Sequence, residues 1–421
     1  MGRKGRSRRR PEALLRDGDR SGAIAGFRRG AAAGQVDAMF QLGTLLAEDG
    51  DPEGLGWLRR AHEANPSEGA IRNNLGHALR EAGALEEAQS LFEEAVRARP
   101  RDAVALYGLS TVLISAGAHR EAEAVLRRAV AADPAFALAV RQHGDVLEAL
   151  GRTSDAMEAF HRALALQPRD PQVLRKLGLM YAFLGRRPMA TAMLRQSLAL
   201  RPGDPLATHM LGALSGEGSD RPDDGYVREL FDAFADSFDT QLQDVLGYRV
   251  PDRVAEVLGP GALGRVLDLG CGTGLLAPRV AGRTAGLVGV DLSPGMLAKA
   301  RARGGYDALH AEGIVDFLDR NEERFDVVVA ADVFVYVGAL DDVFAGVRAC
   351  CDGRFVFTTE LAGEGLELRP SGRYAHGVER VDRLAERHGF TLAHRSVETL
   401  RTEAEQPIMG QLVVLDVGRG G

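Results

Sequence analysis

A chain of 421 residues with 45% hydrophobic residues, a mean hydropathy of −0.13 and a formal net charge of −7 is longer than one core usually serves, so more than one domain is expected. No apolar run approaches the roughly 18 residues needed to cross a bilayer, and the three cysteines (Cys271, Cys350, Cys351) exclude a disulfide framework and a four-cysteine zinc site, which leads us to expect a reducing, cytoplasmic setting. Residues 1–220 carry 30 basic and 27 acidic side chains, whereas residues 221–421 carry 22 and 32, and so acidic a second half would repel a phosphate backbone, which argues against long nucleic acids as substrate.

The chain begins Met1-Gly2-Arg3-Lys4-Gly5-Arg6-Ser7-Arg8-Arg9-Arg10. No apolar segment follows this basic stretch, so it does not read as a secretory signal. Arg6 stands where a myristoylation motif wants Ser or Thr. Residues 1–10 are expected to be a solvated, disordered tail.

A ruler then sets in. Pro66, Pro100, Pro134, Pro168 and Pro202 recur at one constant interval without a slip. Ala61, Ala95, Ala129, Ala163 and Ser197 stand five before each proline, and Leu58, Phe92, Leu126, Phe160 and Leu194 stand eight before. Small residues let two antiparallel helices approach, the bulky one fills the gap between them, and proline ends the second helix. The pattern and its period resemble the tetratricopeptide repeat and imply an α-solenoid over residues 11–214, about five repeats with a worn first one and a capping helix at Leu206 to Leu214. Such solenoids bind a peptide or protein partner on the face of their first helices. By position in the repeat, the candidates there are Asn73, His77, Tyr107, Arg141 and Arg175.

Residues 215–225 are rich in Gly, Ser, Pro and charge and read as a linker. Phe231, Phe234 and Phe238 then form an aromatic stripe, either a helix packed on a sheet or a lid over a pocket. Beyond it, strands are expected at 265–269, 286–290, 307–311, 325–331 and 354–359, with helices between. A final pair, Phe390 to Arg401 and Met409 to Val417, is joined by a short loop, so the last strand should run antiparallel in an otherwise doubly wound parallel sheet.

The first of these strands runs into Asp268-Leu269-Gly270-Cys271-Gly272-Thr273-Gly274, and the second ends at Asp291. Alternating glycines let the backbone turn tightly and approach a ligand, and a carboxylate at the next strand end suits a ribose diol. A dinucleotide fingerprint would need a third glycine where Leu275 stands. With Gly289-Val290-Asp291-Leu292-Ser293 and Phe325 to Asp332, residues 226–421 resemble the class I S-adenosylmethionine-dependent methyltransferases, a Rossmann-like seven-stranded fold. The resemblance implies S-adenosylmethionine as cofactor. It places the methionine part on Gly270, Cys271, Gly272 and Gly274, with Asp268 orienting the loop or the amino group. Asp291 takes the ribose, Leu292 and Met296 flank the adenine, and Glu312 and Gly313 stand where an acid for the adenine amine is expected.

Residues just after the fourth strand, Asp332, Phe334 and Tyr336, should face the methyl group, as should the Arg373-Tyr374-Ala375-His376 loop. His376 is the expected base, and Arg373 the holder of an anionic part of the acceptor. No metal site is expected. The Asn/Asp-Pro-Pro-Tyr/Phe run used on base and glutamine nitrogens is absent at Asp332 to Tyr336, which leaves oxygen, carboxylate or protein acceptors. The alternative reading is a repeat scaffold whose cofactor-binding domain is catalytically inactive. Oligomeric state is not legible.

Overall fold

In a computed structural model of the protein the described residues are 10–234, 248–403 and 406–418. The chain divides into two compact units, Met1–Val173 and Leu174–Gly421, and the division falls inside the helix Pro171–Phe183.

The first unit is a run of helix pairs: Val36–Glu48 with Glu53–Ala64, Gly69–Glu81 with Leu85–Ala98, Ala103–Ser115 with His119–Ala132, and Ala137–Ala149 with Thr153–Leu166. The shorter Pro11–Arg16 and Arg20–Ala32 precede them. The bulky residue eight before each proline does the work expected of it. The Phe92 ring fits against both Gly76 and Gly108, where any Cβ would overlap it, and Phe160 lies against Gly144 in the same way. A second ruler accompanies the first. Gly83, Gly117, Gly151 and Gly185 turn the chain between the two helices of successive pairs at φ between 68° and 77°. A side chain there would meet open space, so backbone conformation and not crowding calls for glycine.

The second unit holds the end of the helical series, Arg187–Leu200 and Pro205–Ser215, and then the sheet. Its strands are β1 Gly264–Leu269, β2 Thr284–Asp291, β3 Ala308–Ala311, β4 Phe325–Ala330, β5 Cys351–Leu361, β6 Leu366–Leu368, β7 Tyr374–His376, β8 Phe390–Glu403 and β9 Gln406–Val417. The first five lie parallel in the order β3-β2-β1-β4-β5. β9 pairs antiparallel with β5, and β8 with β9. This is the doubly wound sheet with an antiparallel final pair. The short strands β6 and β7 are an addition to the expected seven: β7 extends the end of β5 through Glu360 and Leu361, in a segment read as loop.

Strand alternation gives the sheet two apolar faces. One carries Leu267, Leu269, Val328, Phe355 and Phe357 under Phe344, Val381 and Leu384. The other carries Val266, Leu287, Val327 and Val356 under Val254, Leu276 and Val280. Strand order reverses between β1 and β4, which opens a crevice beyond their carboxyl ends.

The segment read as a linker is tied down within this unit. The Asp220 carbonyl accepts the Ala339 N–H at 2.9 Å, and the Ser219 carbonyl accepts the Tyr374 hydroxyl. The His209 ring stacks on Tyr226 at 4.0 Å, and its Nε2–H donates to the Gly372 carbonyl at 2.7 Å. The helix Asp224–Phe234 follows.

Candidate functional site

Gly270 and Gly272, at φ 66° and 54°, carry the chain out of β1. The Asp291 carboxylate closes this loop onto the next strand. One oxygen accepts the Gly272 N–H and the other accepts the Ser293 N–H, both at 2.9 Å. Ser293 in turn caps the helix Pro294–Arg303 by accepting the Met296 N–H at 3.1 Å. Burial raises the Asp291 pKa, opposed by the two N–H groups. A carboxylate has about four acceptor sites, so two remain after these bonds, the number a ribose diol requires. The residues therefore fit a nucleoside cofactor.

Behind the loop, the Tyr306 hydroxyl donates to the Asp268 carboxylate at 2.7 Å. Burial, with Asp291 nearby, pushes Asp268 up to about 7 despite that bond. Gly274 has the left-handed backbone, φ 81°, that glycine adopts freely, and a Cβ on Gly289 would crowd Leu309, Cys271 and the Tyr306 ring. Asp268 thus supports the loop from beneath. Tyr306 escapes a reading of the sequence because it belongs to no strand and lies 38 residues from its partner.

Met296 is fully buried and Cys271 nearly so, with its sulfur turned toward Gly289, so their side chains line the interior and not the crevice. Leu292 stays partly exposed. The Glu312 carboxylate is engaged by Arg320, whose Nε lies at 2.6 Å. Gly313 opens the helix Ile314–Arg320 with the Asp224 and Asp316 carboxylates close by.

The helix Asp224–Phe234 touches both sides of the crevice. Asp232 accepts the Ser293 hydroxyl beside β2, and the Phe231 ring meets Tyr336 edge-on at 4.9 Å beyond β4. The Phe234 side chain and Phe238 lie outside the described residues.

His376 is corrected as the base. Its ring is wholly buried in β7, and Nε2 lies 3.0 and 3.1 Å from the Phe334 and Val337 carbonyls. Nε2 therefore carries the proton and donates it. Burial is the main reason its pKa falls to about 4, so the imidazole is neutral and serves the short helix Phe334–Tyr336. Phe334 likewise packs into the aromatic core with Phe355 and Phe357. Arg373 is partly exposed on the adjacent turn, where its carbonyl accepts the Arg369 N–H at 2.8 Å.

Asp332 is held from two sides. Its N–H donates to the Thr358 hydroxyl at 2.8 Å, and its carboxylate accepts Arg401 at 3.0 Å. Arg401 also meets Glu360, which Arg369 reaches at 2.7 Å. Tyr248 is half-buried within electrostatic reach of Asp332, Arg401 and Asp268.

On the repeats, Arg141 pairs with Asp170 at 3.2 Å and Arg175 with Asp204 at 3.4 Å. Arg72, not singled out in the sequence, pairs with Asp102 at 3.5 Å. Each acid also accepts an N–H at the start of its own helix. Arg141 and Arg175 thus join successive repeats. Tyr107 tilts against Phe136 at 5.2 Å, Asn73 is partly buried, and His77 is exposed beside Arg80. Among the described residues there is no cluster of metal-ligating side chains, and no helix is long and apolar enough to cross a membrane.

Comparison with known proteins follows the same division. The family model of the methyltransferase domain matches residues 266–352, and tetratricopeptide repeat models match residues 79–141 and 137–180. A malonyl-[acyl-carrier protein] O-methyltransferase of Geobacter sulfurreducens is 34% identical over 174 residues, 39% of this chain and 64% of that protein. A ubiquinone biosynthesis O-methyltransferase of Alkalilimnicola ehrlichii is 34% identical over 131 residues, 28% of this chain and 50% of that one. The chain therefore spans less than two thirds of either relative. Among solved structures, the magnesium protoporphyrin IX methyltransferase of Synechocystis with bound S-adenosylmethionine is 18% identical, covering 46% of this chain and 97% of that one at a TM-score of 0.35. With the crevice, the glycine loop and Asp291 in place, the chain carries tetratricopeptide repeats followed by a segment that matches the methyltransferase domain family.

Proposed function

We propose that the protein moves a methyl group from S-adenosylmethionine to an oxygen of a small molecule, a carrier-bound metabolite or a protein, and that its repeats recruit a protein partner in a cytoplasmic setting. The observation that carries this reading is Asp291, fixed by two N–H groups at the mouth of a glycine loop with acceptor sites to spare. Bound there, the cofactor supplies an activated methyl group, so the chain's own residues need chiefly to align the acceptor and exclude water. Phe231 and Tyr336 give the acceptor side an aromatic wall suited to that task. Both relatives described above are O-methyltransferases by name, which supports oxygen as the acceptor atom. The three cysteines are all unpaired, in keeping with a reducing compartment.

Calorimetry with S-adenosylmethionine tests the cofactor. Loss of the ribose hydrogen bonds in Asp291→Ala should weaken binding about 100-fold, from roughly 3 kcal/mol for two bonds to a charged group. Equal affinity in the variant would refute the site. Capture of a partner by the full chain, followed by a labelled-methyl assay on the captured material, tests recruitment. Transfer to a free small molecule with no captured protein would favour the metabolite acceptor.

A further inference from the structure

Asp332 is the only non-glycine residue with positive φ among the described residues, at 60°. A side chain in that conformation is disfavoured and persists where its surroundings impose it. Here they do. The Thr358 hydroxyl takes its N–H, and Arg401, which is 1% exposed, takes its carboxylate. Arg401 is itself held by the 2% exposed Glu360. The turn leads directly into Val333, whose methyl groups occupy the space beside Gly270: a Cβ on that glycine would stand 2.5 Å from Val333 Cγ2. The next residues form the short helix that presents Tyr336 to Phe231.

We propose that Asp332 and Arg401 are positioning residues: the pinned left-handed turn at Asp332 seats Val333 on Gly270 and so fixes the glycine loop in its cofactor-binding shape. Arg401 lies on β8, in the antiparallel pair, and acts on the loop only through Asp332. The carboxylate of Asp332 is an anchor for the turn and not a group offered to the acceptor. The proposal rests on the cofactor reading above.

The test is the affinity of the full chain for S-adenosylhomocysteine, measured by calorimetry well below the melting temperature. Glycine adopts a left-handed backbone freely and asparagine does so readily, whereas alanine does not. Asp332→Gly and Asp332→Asn should bind within about threefold of the wild type, and Asp332→Ala about tenfold more weakly. Arg401→Gln should weaken binding in the wild-type background and have no further effect on affinity in Asp332→Gly, with Arg401→Lys intermediate. Should Arg401→Gln fail to fold, the three Asp332 variants decide the matter without it. Equal losses in the glycine and alanine variants would overturn the proposal, because the carboxylate itself would then be what counts. A wild-type chain that binds no S-adenosylhomocysteine would instead overturn the cofactor reading, and the proposal with it.

Discussion

In the repeats, Phe92 is held by Gly76 and Gly108, glycines sixteen residues to either side of it. In the methyltransferase domain, the contacts that make the site join Gly270 to Val333, Asp268 to Tyr306 and Asp332 to Arg401, across 38 to 69 residues of chain. Both regions bring small residues against bulky ones and acids against arginines. The difference lies in how far along the chain each partner stands. A repeat unit is specified by its own pair of helices and its neighbours, so a change in it should stay local. The site is assembled from strand ends that only the assembled sheet brings together, so a change there should be felt at several of them.

The largest expected effect tests locality in the repeats. Gly108→Val would drive a branched side chain into the Phe92 ring from a helix backbone that cannot retreat, at a cost of about 3 kcal/mol. Hydrogen exchange should then show protection lost in Leu85–Ala98 and Ala103–Ser115 while β1 and β4 keep theirs. Uniform loss through the sheet as well would dissolve the distinction.

Next comes His376, where a pH effect exposes long-range assembly. Its folded pKa of about 4 lies below the ordinary value of 6.5. Between those values the unfolded chain takes up a proton that the folded chain refuses. Stability should therefore fall as pH drops from about 6.5 to 4 and be unaffected by this group above 6.5. In His376→Gln, thermal melts across that range should lack this part of the slope. An unchanged slope would show that the imidazole is not buried as described.

The smallest effect belongs to Arg141. Its pair with Asp170 leaves the arginine 31% exposed, so Arg141→Ala should cost about 0.5–1 kcal/mol in a chemical melt, with more of the effect lost in high salt. A loss well beyond the range of exposed ion pairs would mean that the joints between repeats depend on these pairs more than on Phe92 and its counterparts.

Much of this was legible beforehand, for reasons particular residues make plain. The proline ruler reports helix ends because proline cannot continue a helix, and it needs no partner elsewhere to be read. Gly270, Gly272 and Asp291 were readable because a glycine turn and a strand-end acid are set by local backbone needs. His376 and Arg373 look alike in sequence, two polar residues in one loop. Yet β7 buries the first and leaves the second partly exposed, and the pairing of β7 with β5 that decides this has no local signal. Arg401 reads in sequence only as the end of a strand. Its function as an anchor depends on Asp332 and Glu360 arriving from two other strand ends.

The sequence by itself determined the repeats, the order of the first five strands and the final pair, and the methyl donor that the glycine loop suits, because periodic packing and tight turns leave their requirements in neighbouring residues. Only the tertiary structure decided which polar groups of the second half face the crevice and which hold it in shape. Burial and pairing are properties of strands meeting across the sheet, and the same arginine or histidine can stand on either side of that line.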